Sequence, residues 1–290
     1  MLPLSQPAVD PLPATINLTG QTAIVTGATK GIGHAICRQL LSRKLSTLIL
    51  AVRNVSQGEV VKKDFLAAHP DARIEVMQFD AADFASVKDF AKTFKAKFAE
   101  LHILMLHAGL GSFGRQMAPS GHEMCIQVNY LANVLLSIEL LPVLEATADK
   151  TGNPGRMTWT GTTMHRDASF GKQGLSLPPG ETPIQYLDKN TPGSNPNTPY
   201  CNSKYFVAQW LLELASRYPS DKVLLNNFCP GMVNSNMTDV VPLLVRLPVK
   251  LFITLRGRSV EQGAWLALHA ALVTGKESHG RFLNNGKIEE

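Results

Sequence analysis

From Thr22 onward, short runs of β-branched and aliphatic residues alternate with longer stretches in which apolar residues recur every three or four positions. The short runs predict strands at Thr22–Thr26, Thr47–Val52, Arg73–Gln78, Ile103–Leu106, 156–160 and 222–228. The longer stretches predict helices at 32–43, 56–68, 82–98, 121–144, 200–217 and 260–273. Strands alternating with helices predict an α/β fold, a single-domain, Rossmann-type doubly wound parallel sheet with helices on both faces.

Three segments depart from this alternation. Residues 1–20 hold four prolines and no continuous apolar run, which predicts a flexible arm ahead of a catalytic domain at 21–290. Residues 165–198 are rich in Gly, Pro and polar residues and predict a long loop insertion. Residues 237–256 are apolar but interrupted by prolines and cations. They predict either a short helix pair at the edge of the core or a substrate lid that also touches a membrane surface.

Composition and charge narrow the classes of function. The net charge of +5 is mild and its cations are dispersed, so no nucleic-acid partner is expected. The four cysteines are far apart and the eight histidines lack metal-ligand spacing, which predicts a reduced, cytoplasmic protein without a metal site. The chain has no uncharged apolar stretch long enough to span a bilayer, so no spanning segment is expected.

A glycine-rich turn joins the first strand to the first helix. Gly27 allows a sharp turn, Gly31 leaves room for a pyrophosphate, and Gly33 lets the helix pack close to the strand. The helix then presents unpaired N–H groups and the positive end of its dipole to the phosphates. The residues predicted to contact a dinucleotide here are Gly27, Thr29, Lys30, Gly31, Ile32 and Gly33. An ordinary glycine-rich turn remains the alternative interpretation of this motif alone.

The end of the second strand indicates which dinucleotide is bound. An NAD enzyme needs a carboxylate there for the adenine ribose, but Val52 occupies that position and Arg53 follows it. Lys30 adds a second cation within the glycine-rich turn. Two cations and no acid suit a 2′-phosphate, so the predicted cofactor is NADP(H), the alternative being two solvated cations.

Tyr200 and Lys204 lie four residues apart at the start of a predicted helix and therefore share one of its faces. A nearby ammonium stabilises a phenolate, so this spacing predicts that the pKa of Tyr200 is lowered and that its hydroxyl exchanges a proton. A cluster of threonine hydroxyls that includes Thr162 follows the fifth strand and could hydrogen-bond a substrate oxygen. The alternatives are a surface Tyr–Lys pair and threonines that cap the next turn.

The order of these motifs resembles the short-chain dehydrogenase/reductase family over residues 20–285, and the end of the second strand is similar to its retinol-dehydrogenase-like branch. The resemblance implies that Tyr200 donates a proton, while Lys204 lowers its pKa and holds the nicotinamide ribose. It implies that Asn129 orders a relay water and that Thr162 orients the substrate oxygen. Further cofactor contacts implied by the family pattern are Asp80, Ala108, Gly109, Asn129, Pro230, Gly231 and Val233.

Two positions depart from the family pattern. Thr162 stands where the family has a catalytic serine, and its extra methyl group restricts its rotamers. His107 stands where the family has an asparagine, and it either replaces that residue's hydrogen bonds or changes the adenosine side of the pocket. These departures leave two alternatives beside a reductase: an NADP-binding protein without redox activity, and an enzyme of non-redox cyclisation or isomerisation.

The expected substrate is a lipophilic small molecule with a ketone, aldehyde or alcohol group, as in a tailoring step of a biosynthetic pathway. Phe170, Leu175 and Leu177 of the insertion, with residues 237–256, are expected to line its pocket. The family commonly forms homodimers or homotetramers, which here would pair the helices at 121–144 and 200–217.

Overall fold

A computed structural model, which describes residues 6–112, 114–170, 174–190, 195–235 and 243–289, places eight strands of this part of the chain in one sheet. The strands are β1 Thr22–Thr26, β2 Thr47–Val52, β3 Arg73–Gln78, β4 Ile103–Leu106, β5 Gly155–Thr160, β6 Val223–Cys229, β7 Arg281–Asn284 and β8 Lys287–Glu289. Their order across the sheet is β3-β2-β1-β4-β5-β6-β7-β8. Neighbours from β3 to β7 pair in parallel, as predicted, which confirms the doubly wound α/β fold.

The last two strands were not predicted. β7 and β8 are short and only partly buried, so they lack the continuous apolar run that marks the inner strands. They form an antiparallel hairpin closed by Asn285 and Gly286, both of which have positive φ. An Asn-Gly pair is the sequence signal for such a two-residue turn. The sheet is therefore parallel except at this edge.

The described part of the chain contains eight α-helices, most of which pack on the sheet. They are α1 Gly31–Ser42, α2 Val55–Ala68, α3 Phe84–Lys97, α4 Ala132–Thr151, α5 Pro183–Lys189, α6 Thr198–Arg217, α7 Leu243–Arg256 and α8 Val260–Leu268. Local capping fixes several starts: Asn54 accepts from Gln57 N, and Ser259 forms a reciprocal capping box with Gln262.

Several helix boundaries differ from those predicted. The stretch predicted at 121–144 instead begins as a π-helical turn, Ile126–Leu131, and continues as α4 to Thr151. The helix predicted at 260–273 ends at Leu268 and continues as a second π-helical turn, His269–Val273. Hydrophobic periodicity does not distinguish a π-turn from an α-helix, because inserting one residue changes the local hydrogen bonding but not the apolar character.

Both segments that depart from the strand–helix alternation contain regular helices. The insertion at 165–198 contains the end of a 3-10 helix, Thr163–Asp167, and the whole of α5. Within 237–256, the described residues form the single helix α7 with Pro248 inside it. Residues 171–173, 191–194 and 237–242 of these segments lie outside the described residues.

The sheet buries a separate apolar cluster on each face. Val25 of β1 faces a cluster shared with α1 and α8, whereas Ile24 faces one shared with α3, α4 and α6. The continuous helical stretch Ile126–Thr151 is long and apolar enough to cross a bilayer, yet half of its apolar window is buried within the fold. It therefore has the burial of a core helix.

The described part of the N-terminal segment does not form the loose arm expected from its prolines. Leu12 and Leu18 are only 4% and 3% exposed and belong to the cluster beneath α1. Arg43 donates to the carbonyl oxygen of Leu12 at 3.1 Å. Sequence composition missed this docking because two isolated leucines carry no periodic signal. Burying each of them stabilises the fold by about 1.5–3 kcal/mol.

Replacing Leu12 by Ala tests whether this segment is part of the folded domain. The cavity and the lost burial should lower the free energy of unfolding by about 2–4 kcal/mol in urea titrations. Val60→Ala is the matched control, because Val60 on α2 is 59% exposed, and it should change stability by less than about 0.5 kcal/mol. Equal stabilities of the two variants would contradict docking of the segment.

Candidate active site

The turn between β1 and α1 has the shape that its glycines predict. Gly27 and Gly31 both have positive φ, 71° and 59°. A methyl group at Gly33 would overlap the carbonyl oxygen of Gly27 and lie 2.9 Å from Cδ2 of His107. Lys30 is the N-cap of α1 but its side chain makes no capping hydrogen bond, so the first N–H groups of the helix have no side-chain cap. The turn thus presents an uncapped helix N-terminus to an anion.

Thr26 joins the end of β4 to this turn. Its Oγ1 accepts hydrogen bonds from the backbone N–H groups of His107 and Ala108 at 2.9 and 2.8 Å. Ala108 consequently lies against the turn, with its Cα 3.2 Å from where a Cβ of Gly27 would be. The sequence motif includes Thr26 but did not reveal this role, because the two elements meet only in the sheet.

Asn129 lies in the π-helical turn and connects three elements. Its Oδ1 accepts from Leu110 N at 2.8 Å, and its Nδ2 donates to Leu110 O at 3.0 Å and to Ser203 Oγ at 2.9 Å. A π-turn shifts side chains relative to an α-helix and often occurs at functional sites. The shift brings an asparagine from the α4 region to the loop after β4 and to α6, and Ser203 is a site residue that the sequence did not indicate.

Lys204 is buried and its ammonium donates to the carbonyl oxygen of Thr160 at 2.6 Å. Its Nζ is also 3.7 Å from where a Cβ of Gly109 would be, so it lies between the ends of β4 and β5. Burial lowers the pKa of Lys204 to about 8, against smaller opposing effects of the thiols of Cys125 and Cys229. A cation here is held chiefly by backbone.

Tyr200 is buried one turn before Lys204, with its ring centroid 5.8 Å from the Lys204 Nζ. Burial raises the pKa of the phenol, and the nearby Cys229 adds to this, while a hydrogen bond with the side chain of Thr162 lowers it. The predicted lowering of this pKa is therefore wrong for the structure. The ammonium is directed to the Thr160 carbonyl, so it does not offset the loss of hydration at the phenol.

Thr162 combines the two roles that the sequence left open. Its Oγ1 accepts from Met164 N at 3.3 Å and so caps the 3-10 helix after β5. The same side chain lies near the phenol of Tyr200 and lowers its pKa, against the larger opposing effect of burial. The structure brings Thr162, Tyr200 and Lys204 together at the carboxyl end of β5, with Asn129 connected to them through Ser203.

The side chain of His107 bonds within the fold and is not an exposed acid or base. Its Nδ1 lies 2.9 Å from Thr160 Oγ1, which makes it a bridge between the ends of β4 and β5. Burial, together with the smaller effect of the positive charge of Lys204, lowers its pKa to about 4. The imidazole is consequently neutral at physiological pH, and its role here is the hydrogen bond with Thr160.

The loop after β6 is hydrogen-bonded by two side chains that the sequence did not indicate, those of Gln6 and Arg258. Gly231 has φ of 75°, which reverses the chain after Pro230. Gln6 pairs with Met232 through two hydrogen bonds of 2.8 Å, one to its N–H and one to its carbonyl oxygen.

The buried Arg258 completes this support. It donates to the carbonyl oxygens of Pro7 and Pro230 and to Asn285 Oδ1. Its backbone also pairs with the loop at Val233, the position predicted to contact a cofactor. Gln6 lies 226 residues before Met232, and Arg258 lies 251 residues after Pro7, so no local sequence signal could have identified these contacts.

Three further residues predicted to contact the cofactor follow β1, β2 and β3. Lys30 and Arg53 are exposed, the former at the start of α1 and the latter directly after β2. Asp80 follows β3, and its Oδ1 accepts from Ala82 N at 3.0 Å. Part of the Asp80 carboxylate is therefore engaged in its own turn.

The insertion is attached to the site at two points. Asn202 of α6 accepts from Ser169 N at 2.8 Å. Asp188 of α5 accepts from Glu123 N and lies 2.8 Å from His122 Nδ1. These contacts hold the described parts of the insertion beside α6, where Phe170 packs on Phe206.

The chain is similar to short chain dehydrogenases in sequence. Residues 21–155 match the family model described as short chain dehydrogenase. The chain is 43% identical over 296 residues to short chain dehydrogenase macD of Penicillium terrestre, covering 100% of this chain and 89% of that protein. It is 42% identical over 296 residues to short chain dehydrogenase yanD of Aspergillus niger, with the same shares covered.

Solved structures share the fold. The NADPH-bound carbonyl reductase from chicken fatty liver superposes with a TM-score of 0.69 at 20% identity, covering 94% of this chain and 99% of that chain. The RhlG/NADP active-site complex of Pseudomonas aeruginosa gives a TM-score of 0.70 at 21% identity, covering 94% and 97%. At these identities the likeness shows the fold alone.

The neutral state of His107 predicts a pH dependence of stability. Its pKa in the fold, about 4, is below the ordinary 6.5, so the unfolded chain binds this proton first as pH falls. Stability from this group is complete above pH 6.5 and is lost as pH falls towards 4. In urea unfolding at about pH 7 and about pH 4, the wild type should lose about 2–3 kcal/mol more than His107→Asn. Parallel losses in the two proteins would contradict a buried, neutral imidazole.

Proposed function

Since this chain belongs to the short-chain dehydrogenase family, we propose that it is an NADP(H)-dependent reductase of a ketone, aldehyde or secondary alcohol on a lipophilic small molecule. The observation that supports this most directly is the gathering of three groups at the end of β5. The phenol of Tyr200, whose pKa the nearby Thr162 side chain lowers, lies one helical turn from the buried ammonium of Lys204. Such a set moves a proton to and from an oxygen, which is what carbonyl reduction requires beside a hydride.

The glycine-rich turn fits the phosphates of the cofactor. The start of α1 has no side-chain cap, and among the described residues a Cβ at Gly31 would meet only Ser235 within 4 Å, so a phosphate can approach the backbone. We assign Lys30 and Arg53 to the 2′-phosphate because both are exposed cations at the ends of neighbouring elements. Residues assigned to the rest of the cofactor are Gly27, Thr29, Ile32, Gly33, Asp80, Ala108, Gly109, Asn129, Tyr200, Lys204, Pro230, Gly231 and Val233.

When bound, NADPH supplies the hydride that reduces the substrate carbon. Tyr200 supplies the proton to the substrate oxygen. Its raised pKa suits this direction, because burial keeps the phenol protonated at neutral pH and ready to act as an acid. The Thr162 hydroxyl, which accepts from Met164 N, has one proton left to donate, and we propose that it donates this proton to the substrate oxygen and so orients it.

Reprotonation of Tyr200 is assigned to Lys204 and Asn129. A lysine whose pKa is lowered to about 8 by burial can exchange a proton near physiological pH. Asn129 is proposed to order a water that relays this proton, from its position beside Ser203 and the loop after β4. The convergence of these groups favours redox activity over a redox-inactive binding protein or a non-redox isomerase.

The proposed substrate is lipophilic because the insertion places apolar side chains beside α6. Phe170 packs on Phe206, and Leu175 and Leu177 are half-buried in the same segment. We propose a tailoring reduction in a biosynthetic pathway, carried out by a cytoplasmic homodimer or homotetramer whose catalytic domain spans 21–290. The assignment to a retinol-dehydrogenase-like branch likewise stays a prediction.

Tyr200→Phe tests the proton donor. Loss of the hydroxyl should lower kcat at least about 100-fold when NADPH oxidation is followed with a panel of lipophilic carbonyl compounds. The dissociation constant of NADPH, measured by fluorescence, should change less than about threefold. Tyr205→Phe on the same helix is the matched control and should keep wild-type kcat. Full activity of Tyr200→Phe would refute the assigned role.

Arg53→Glu tests the choice of cofactor. A carboxylate repels the 2′-phosphate and accepts from a free ribose, so the ratio of kcat/KM for NADPH to that for NADH should fall at least about tenfold. Lys63→Glu on α2 makes the same change of charge at an exposed position and should leave the ratio unchanged. An unaltered ratio in both variants would exclude Arg53 from cofactor selection.

A further inference from the structure

Four large apolar side chains on one helix, α7, are exposed. They are Leu247, Leu251, Phe252 and Leu255, with exposed fractions of 59%, 62%, 51% and 71%. Single apolar residues on a protein surface are ordinary and need no partner. Four on a helix of 14 residues form a contiguous patch, which marks a surface that binds something.

The geometry of α7 gathers these side chains on its outer face. At about 3.6 residues per turn, the four positions fall within a stripe about 140° wide. Val249 and Ile253, on the other side of the helix, are half-buried and face the fold. The helix therefore turns a strongly apolar face, here named the α7 stripe, away from the protein core.

The charges on α7 indicate the chemistry of the partner. Its sequence, Leu243–Arg256, contains Arg246, Lys250 and Arg256 and neither aspartate nor glutamate. By helical spacing, Lys250 borders one edge of the α7 stripe and Arg256 the other. An apolar face edged by the exposed Lys250 matches a bilayer surface, where the apolar groups enter the acyl boundary and this cation meets anionic headgroups.

We propose that the α7 stripe binds the surface of a bilayer that contains anionic phospholipids. A helix of 14 residues is about 21 Å long, which is shorter than the hydrocarbon core of about 30 Å, so it lies in the interface plane. Contact with a second copy through the same stripe fits less well, because it would bring Lys250 and Arg256 of both copies together as like charges. The proposal is independent of redox activity, because vesicle binding is measured without substrate.

The test is co-sedimentation of the full chain with phosphatidylcholine vesicles, with and without about 30 mol % phosphatidylserine. We expect binding to the anionic vesicles that weakens at least about tenfold in Leu251→Asn/Leu255→Asn, because two apolar anchors are lost. Lys250→Glu should weaken it about fivefold or more, and raising sodium chloride from about 0.05 to about 0.5 M should do the same.

The matched control is Val60→Asn, at a comparably exposed apolar residue on α2, which should bind like the wild type. Thermal unfolding of each variant shows that the fold is retained, since all the changed side chains are exposed. Three results would each overturn the proposal. They are failure of the wild type to bind anionic vesicles, equal binding by all variants, and a dimer in sedimentation velocity that Leu251→Asn/Leu255→Asn converts to monomer without any vesicle binding.

Discussion

The bond from the Lys204 ammonium to the Thr160 carbonyl oxygen, 2.6 Å long and buried, is the interaction on which the site depends. A buried cation is costly unless hydrogen bonds replace its hydration, and here the end of β5 supplies the acceptor. This contact fixes α6 against the carboxyl edge of the sheet. Because Tyr200 lies one turn earlier on the same helix, the contact also places its phenol near the hydroxyl of Thr162. Burial lowers the pKa of this ammonium to about 8, so it can exchange a proton near physiological pH.

The rest of the site is built by side chains that tie strand ends together. Thr26 binds the end of β4 to that of β1, His107 joins β4 to β5, and Asn129 joins the loop after β4 to α6. Each uses a short polar side chain at a point where parallel strands end and leave backbone groups unpaired. His107 makes its connection with a neutral ring beside Lys204.

The N-terminal segment adds hydrogen bonds to this network at the loop after β6. Gln6 and Arg258 together hold Met232, Pro7, Pro230 and the β7–β8 turn. The loop at Pro230 and Gly231 is therefore supported by residues from both ends of the chain. Docking by Leu12 and Leu18 supplies the apolar burial that keeps this support in place.

The sequence by itself determined the inner strands, the glycine-rich turn and the Tyr200–Lys204 spacing, because each is a local pattern of period, turn or helix face. It did not reveal the π-turn at Asn129, the docking of residues 6–20, or the β7–β8 hairpin at the sheet edge. Tertiary structure alone decided the protonation of the site. Sequence spacing predicted a lowered pKa for Tyr200, but burial raises it and the ammonium is turned to Thr160. A spacing specifies which groups are neighbours along a helix, whereas their charge depends on the water that the whole fold excludes.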